Sequence, residues 1–404
     1  MNAVTDVKGW CPGILRPMAS GDGLIVRVRP RGGAFSLETA ATLADLAARL
    51  GNGHIDLTRR ANLQLRGLTE DRLPELRAEL ATLGLLDPDT VTEAVRNVMV
   101  APLAGLDPSQ AFDVRPVARA IDDALTSDKR LHALPGKFGL LVDGGGAISI
   151  ACERTDVGLA AVGDAFAFGL DTARGTRWLG MVPPAQAAEA AIAAAHGYLA
   201  VATRGRMRGL DEAAFAQVAA AVRLSPMTGV PAAGGRRLGL LGSAVGIAAP
   251  FGRLEADQLR QLVKLAADAG AIDLRLSPWR AVYFGVRKDA GVLVLEEARG
   301  AGLIVEENDP VLQVEACPGA PDCKSSSVDA RGDARRLAAI AAAHGYRGSI
   351  HVSGCGKGCA RSLPSDLVLA GKAGAYRLIR KATTRGPVER MVDADEFEAL
   401  FQHD

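Results

Sequence analysis

Cys317-Pro318-Gly319-Ala320-Pro321-Asp322-Cys323, followed by Cys355-Gly356-Lys357-Gly358-Cys359, is the stretch on which the reading of this chain turns. Four soft thiolates in two pairs suit an iron–sulfur cluster or zinc. Paired cysteines of structural zinc sites are usually separated by about two to four residues, so the wider gap between Cys317 and Cys323 fits zinc poorly. Glycine and proline beside the cysteines let backbone approach an inorganic core and aim N–H groups at sulfur, which tunes its potential. Two structural disulfides are the competing reading. The N-terminus lacks the charged-then-apolar pattern of a secretory signal, so a reducing compartment is expected and disulfides are disfavoured. The expectation is an iron–sulfur cluster on Cys317, Cys323, Cys355 and Cys359.

The 404-residue chain is too long for one ordinary core and suggests several domains. A formal net charge of +1 and an aromatic content of 4% give no reason to expect nucleic acid or an acidic membrane surface as partner. The most apolar run, Ala185 to Ala202, is mostly alanine and carries Glu189 and His196. It reads as a packed helix and not a membrane span, and a cytoplasmic protein is expected.

Leu24 to Arg29 alternates apolar and basic residues, the period of a strand with one ligand-facing side. Ser36 is placed to cap a helix with Leu43, Leu46, Ala47 and Leu50 on one face, ended by Gly51 and Gly53. A strand from His54 to Leu57 and the polar segment Thr58-Arg59-Arg60-Ala61-Asn62-Leu63-Gln64 follow. The same order returns: an apolar strand from Arg237 to Ile247, a helix stripe of Leu259, Leu262, Val263 and Ala266 closed by Gly270, then Ile272-Asp273-Leu274 and Pro278-Trp279-Arg280. Aligned on their wording, Ile55-Asp56-Leu57 pairs with Ile272-Asp273-Leu274, and Arg60 with Arg280 after a three-residue insertion. So long a period argues for duplicated domains. Between the halves, Leu140 to Asp143 and Ala147 to Ala151 read as strands joined by a hairpin at Gly144-Gly145-Gly146. No dinucleotide fingerprint or Walker loop is present. Between the cysteine pairs, Asp333 to His344 reads as a helix and Ser349 to Ser353 as a strand delivering Cys355.

The C-x5-C and C-x3-C pairs resemble the cluster signature of the sulfite and nitrite reductase superfamily, the sirohaem enzymes. The resemblance implies an α+β fold of two pseudo-symmetric halves, each with a ferredoxin-like module and a larger α+β module, around a tetrapyrrole pocket. It implies a [4Fe–4S] cluster with Cys359 nearest the ring. The corresponding boundaries are 1–90, 91–225, 226–304 and 305–404, the last carrying the cluster.

A tetrapyrrole with acetate and propionate substituents requires several inward-facing arginines or lysines, because buried carboxylates must be paired. Arg27 and Arg29 share a strand face, with Arg31 just beyond. By resemblance, Arg27-Val28-Arg29 before Gly32-Gly33 supplies an active-site arginine, Arg27. Thr58 to Gln64 matches a tetrapyrrole-binding loop through Arg60 and Gln64. Arg96-Asn97-Val98 matches a third motif at Arg96, and Leu134-Pro135-Gly136-Lys137-Phe138-Gly139 a fourth at Lys137. Arg27, Arg96 and Lys137 are thus candidate catalytic residues, and Arg29, Arg60, Gln64 and Arg280 candidate substrate-binding residues.

Gly139 stands where sulfite and nitrite reductases carry a second lysine, and Asp56 where another arginine is common. Losing a lysine weakens a cationic cage built for small anions and opens space for something larger. Both departures, with the wording of the whole chain, suit the branch that acts on precorrin-3A in aerobic cobalamin biosynthesis. That branch implies oxygen-dependent hydroxylation at C20 with γ-lactone formation, dioxygen as co-substrate, and a separate electron-donating reductase or ferredoxin. A mononuclear non-haem iron is the oxygen site proposed for it. No ligand set for such an iron is legible among His54, His132, His196, His344, His351 and His403, each read as a structural or surface residue. Sirohaem-dependent sulfite or nitrite reduction is the alternative. Trp10-Cys11-Pro12-Gly13 echoes Cys317-Pro318-Gly319, which would let Cys11 face the active site, but the preferred reading is a small buried thiol near a turn. Cys152 reads as core.

Overall fold

The computed structural model describes residues 11–202, 204–361 and 363–402; Trp10 and His403 lie outside them. The first unit runs β1 (Met18–Ser20), β2 (Gly23–Val28), β3 (Ala34–Ser36), α1 (Leu37–Leu50), β4 (His54–Leu57), β5 (Leu63–Leu68) and α2 (Leu73–Thr82). Ser36 caps α1 by accepting from the Thr39 N–H at 3.1 Å, and Leu43, Leu46, Ala47 and Leu50 form its buried face. A first module follows: α3 (Thr90–Val95), β6 (Val98–Val100), α4 (Arg115–Ser127), β7 (Leu140–Asp143), β8 (Val157–Val162), β9 (Ala165–Thr172), β10 (Gly175–Val182), α5 (Pro184–Val201) and α6 (Glu212–Ala220). The alanine-rich run is α5, buried through Ala187, Ala191, Ala194 and Tyr198. No helix among the described residues is long and apolar enough to cross a membrane.

The second unit repeats the first as β11 (Gly239–Leu241), β12 (Ala244–Ala248), β13 (Arg253–Glu255), α7 (Ala256–Asp268), β14 (Asp273–Leu276), β15 (Ala281–Gly285) and α8 (Gly291–Gly300). The stretch read as one strand from Arg237 to Ile247 is instead a hairpin, turned at Gly242 with φ 67°. The two units exchange edge strands. The first sheet has the order β1-β2-β5-β4-β13 and the second β11-β12-β15-β14-β3. With α1 packed on α7 and one apolar core running through both, neither unit is closed without the other.

The exchange fixes the correspondence between the repeats. Leu254 of β13 pairs with Ile55, and Phe35 of β3 with Leu274. The β4–β5 turn closes on Leu57 and Leu63, the β14–β15 turn on Leu276 and Val282. Asp56 therefore matches Arg275, not Asp273, and no insertion is needed. Arg280 takes the place of Ala61, both with left-handed backbone (φ 59° and 51°), while Arg60 matches Trp279. The Ile-Asp-Leu wording misaligned the repeats because Ile272-Asp273 precedes the strand core, with Ile272 75% exposed.

The second module runs β16 (Val314–Ala316), α9 (Ala330–Ala343), β17 (Ile350–Ser353), β18 (Ser365–Lys372), β19 (Ala375–Ala382) and β20 (Arg390–Val392). Its order, β16-β17-β18-β19-β20, repeats β6-β7-β8-β9-β10, with the first three strands parallel in each. Parallel neighbours cannot be joined by a tight hairpin. Accordingly Gly144-Gly145-Gly146 opens a long crossover to β8 and 147–151 is not a strand. The buried Asp143 organises that crossover by accepting from the Gly145 N–H at 3.1 Å and the Ser149 hydroxyl at 2.5 Å.

Candidate functional site

β16 and β17 are adjacent and parallel, so Cys317 and Cys355 leave the same sheet edge just beyond their ends. Cys323 and Cys359 lie in the segments that follow. Cys317 is buried, and Cys323 and Cys355 are half-buried. The Gly354 N–H donates to Cys317 Sγ at 3.1 Å. A Cβ on Gly354 would fall 2.2 Å from Ser326 Oγ, so glycine is required there for the loop to close. Cys359 is exposed as a residue, yet desolvation of its thiol within the loop, then the charges of Cys317, Cys355 and Cys323, push it up to about 11. Among the described residues no three His, Cys, Asp or Glu side chains come together as a site for a single metal ion. A cluster holds its four thiolates further apart than one ion does, so this donor set fits an iron–sulfur cluster and not zinc. It offers nothing that fits a mononuclear iron.

Two cavities lie between the units and modules. The larger, about 720 Å3, is lined by Arg29, Arg59, Arg60, Arg96, Arg154 and Arg206. The other, about 570 Å3, is lined by Arg59, Arg236, Trp279, Arg280 and Glu315. Arg59 borders both, and its guanidinium lies 3.3 Å from Glu315 of β16. Arg361 at 2.6 Å and Arg280 at 3.8 Å also converge on Glu315, and Arg280 donates to the carbonyl of Ala360, the residue after Cys359. The second cavity thus abuts the cysteine loop.

Of the candidate residues, Arg29, Arg60 and Arg96 line the larger cavity and Arg280 the smaller, while Arg27, Gln64 and Lys137 line neither. Arg27 donates to Gln64 Oε1 at 2.8 Å across β2 and β5. Arg60 donates to the Lys137 carbonyl at 3.1 Å. Arg27, Arg60 and Lys137 all act electrostatically on Cys11: burial pushes that thiol up, yet the three cations hold it below the ordinary thiol range. Cys11 is therefore half-buried beside the cationic residues and not a core thiol. Asn97 explains its motif by donating to the carbonyls of Ala94 and Phe138, which ties the Lys137 segment to α3. Arg29 is 4% exposed, drawn down to about 10 by burial, with the Glu93 carboxylate at 3.6 Å. Arg96 lines the larger cavity from a buried pair with Asp87 at 3.0 Å, with Asp122 at 3.7 Å. Arg280 stands apart from the others, at the second cavity.

Two expectations are corrected here. Asp56 lines neither cavity. It lies in a buried network with Arg66 at 3.1 Å, Arg253 at 2.9 Å and Arg331 at 3.5 Å, and Arg253 continues to Asp322 beside Cys323. Burial would raise its pKa, but Arg253, Arg331 and Arg66 hold it at about 2. Gly139 does border the larger cavity, its N–H donating to Asp156 at 2.8 Å. Cys152 is exposed, although Ile148, Ile150 and Ala151 just before it in the crossover are buried. Sequence reasoning missed Glu153, Arg154 and Arg206, which no motif marks. Only the correspondence between modules could have found the first two, since the crossover after β7 answers to the cysteine loop after β17.

Residues 16–83 and 241–298 match the nitrite/sulfite reductase ferredoxin-like half domain, and 92–171 the nitrite and sulphite reductase 4Fe-4S domain. The latter match falls on the first module. The four cysteines lie in the second module, which repeats its strand order. A precorrin-3B synthase from Sinorhizobium sp is 31% identical over 94% of this chain and 84% of that protein. A sulfite reductase [ferredoxin] 2 from Mycolicibacterium paratuberculosis is 25% identical over 86% of this chain and 70% of its own. The structure of Mycobacterium tuberculosis NirA superposes with a TM-score of 0.74 at 20% identity, over 93% of this chain and 79% of that one. This likeness shows the two-half α+β fold with ferredoxin-like modules.

Proposed function

The chain belongs to the nitrite and sulfite reductase family, and from that premise we propose that it hydroxylates precorrin-3A at C20 with γ-lactone formation, as the route to precorrin-3B. Likeness to a precorrin-3B synthase along nearly the whole chain supports the substrate class. The observation that carries the reading is the pair of arginine-lined cavities that meet at Arg59 and end against the cysteine loop. A large macrocycle with many carboxylates needs cations on several sides, and neither cavity alone is built around a small anion.

In this reading Cys317, Cys323, Cys355 and Cys359 hold a [4Fe–4S] cluster, which when bound relays single electrons from a ferredoxin or reductase. Arg60 and Arg29 bind substrate carboxylates in the larger cavity and Arg280 in the smaller. Arg27, held by Gln64, and Lys137 flank the reacting edge of the ring and stabilise negative charge developing there. Arg96 orients the cavity wall through its pair with Asp87. Gly139 leaves room that a second lysine would fill. No step is assigned to a mononuclear iron, for which the described residues provide no ligand set.

The test is mass spectrometry of the product formed from precorrin-3A under labelled oxygen with a reductant. One labelled oxygen atom in a lactone product is expected; unchanged substrate overturns the proposal. Sirohaem-dependent sulfite or nitrite reduction, favoured by the cationic residues around Lys137, instead requires a tightly bound sirohaem band as purified.

A further inference from the structure

Glu153 lies in the crossover between β7 and β8 and lines the larger cavity among its arginines. The arginines nearest it already have acidic partners. Arg59 is held by Glu315, Arg154 by Asp171 at 2.7 Å, and Arg206 by Asp156 at 2.6 Å. Asp122, the other carboxyl at this cavity, belongs to Arg96. Glu153 has no ion-pair partner among the described residues. Its donor is the indole N–H of Trp279, reaching over from the second unit. Burial raises its pKa, with the charge of Arg59 and the Trp279 bond opposing.

A ligand carboxylate entering this space excludes water from Glu153 and brings a like charge to it. Both effects favour the acid form. Two carboxyl groups brought together in this way share one proton, and the shared proton is a strong hydrogen bond. We infer that Glu153 is a substrate-positioning carboxyl that takes up a proton as the macrocycle enters and donates it in a hydrogen bond to one of the ligand's carboxylates. The inference deepens the tetrapyrrole reading and rests on it. Arg59, Arg60, Arg154 and Arg206 on the near walls, with Arg29, Arg96 and Asp122 opposite, set the background field. Apart from Asp122, these groups do not exchange protons near neutral pH.

The test is anaerobic titration calorimetry of the cluster-loaded protein with precorrin-3A, in buffers of equal pH and different ionisation enthalpy. Native protein is expected to take up nearly one proton per ligand near neutral pH, and Glu153→Gln close to none. Native affinity should fall by up to about tenfold per pH unit across the window in which Glu153 is ionised in the free protein and acid in the complex, while Glu153→Gln stays flat. Trp279→Phe, which removes the donor to the charged form, should move that fall to higher pH. Proton uptake equal in native protein and Glu153→Gln overturns the inference alone. Absence of binding to native protein overturns the tetrapyrrole reading and this inference with it.

Discussion

The Gly354 N–H donates to Cys317 Sγ at 3.1 Å, between the ends of two parallel strands. That bond favours the more negatively charged, reduced state of a bound cluster, because an N–H dipole stabilises charge on sulfur. Gly354→Ala, whose Cβ would meet Ser326 Oγ at 2.2 Å, should displace the donor and move the cluster potential to more negative values in an EPR-monitored titration. Cys323→Ser should lose the cluster's visible absorbance and its iron. Retention of both would remove Cys323 from the ligand set.

Arg96 and Asp87 have side-chain exposures of 2% and 1%. Removing one partner of a buried pair leaves an uncompensated charge, at a cost of about 3–5 kcal/mol. Asp87→Ala should therefore lose about that much in urea unfolding. A loss under about 1 kcal/mol would mean that Asp122 alone suffices for Arg96.

The cysteine pairs, the cap at Ser36 and the repeated strand–helix–strand order were legible because each is local: spacing, capping chemistry and period lie within a dozen or so residues. The edge-strand exchange was not, since β3 and β13 are short and nothing in Ala34-Phe35-Ser36 names its partner. The misplacement of Arg280 follows from matching wording in place of register. The arginine motifs marked Arg60 and Arg96, which line one cavity, but Glu153 and Arg206 enter it from irregular segments that only tertiary packing positions.

Asp56 makes stability depend on acid in a stated window. Its folded pKa of about 2 lies below the ordinary carboxyl value of 3.8, so its stabilisation is present above about pH 4 and is lost as pH falls through about 2. The shift corresponds to about 2 kcal/mol at neutral pH. Asp56→Asn should destabilise by about 3 kcal/mol at pH 7, since three arginines lose their shared anion. The gap between variant and native unfolding midpoints should shrink as the pH is lowered from about 4. A constant gap would show that Asp56 acts through packing.

Lys137 and Arg60 should matter for the ligand and not for the cluster. A charge-assisted hydrogen bond is worth about 1.5–3 kcal/mol, so Lys137→Ala or Arg60→Ala should raise the Kd for precorrin-3A about tenfold or more with cluster absorbance unchanged. Normal Kd values in both variants would place the pocket elsewhere.

Gly139 separates the two catalytic readings most directly. A Cβ there would meet the Asn97 carbonyl at 3.7 Å and Thr155 Cγ2 at 3.9 Å, ordinary contacts, and its backbone is not left-handed. Gly139→Lys should therefore fold, with its ammonium group in the larger cavity that Gly139 borders. The added cation completes a cage for small anions and occupies space that a macrocycle needs. Affinity for precorrin-3A should fall by about tenfold or more while sulfite or nitrite binding is gained, read by displacement titration of the same cluster-loaded protein. If the lysine leaves macrocycle affinity unchanged, Gly139 does not open the cavity for the substrate, and the residue that separates this chain from its anion-reducing relatives must be sought in the second cavity, around Arg280 and Trp279.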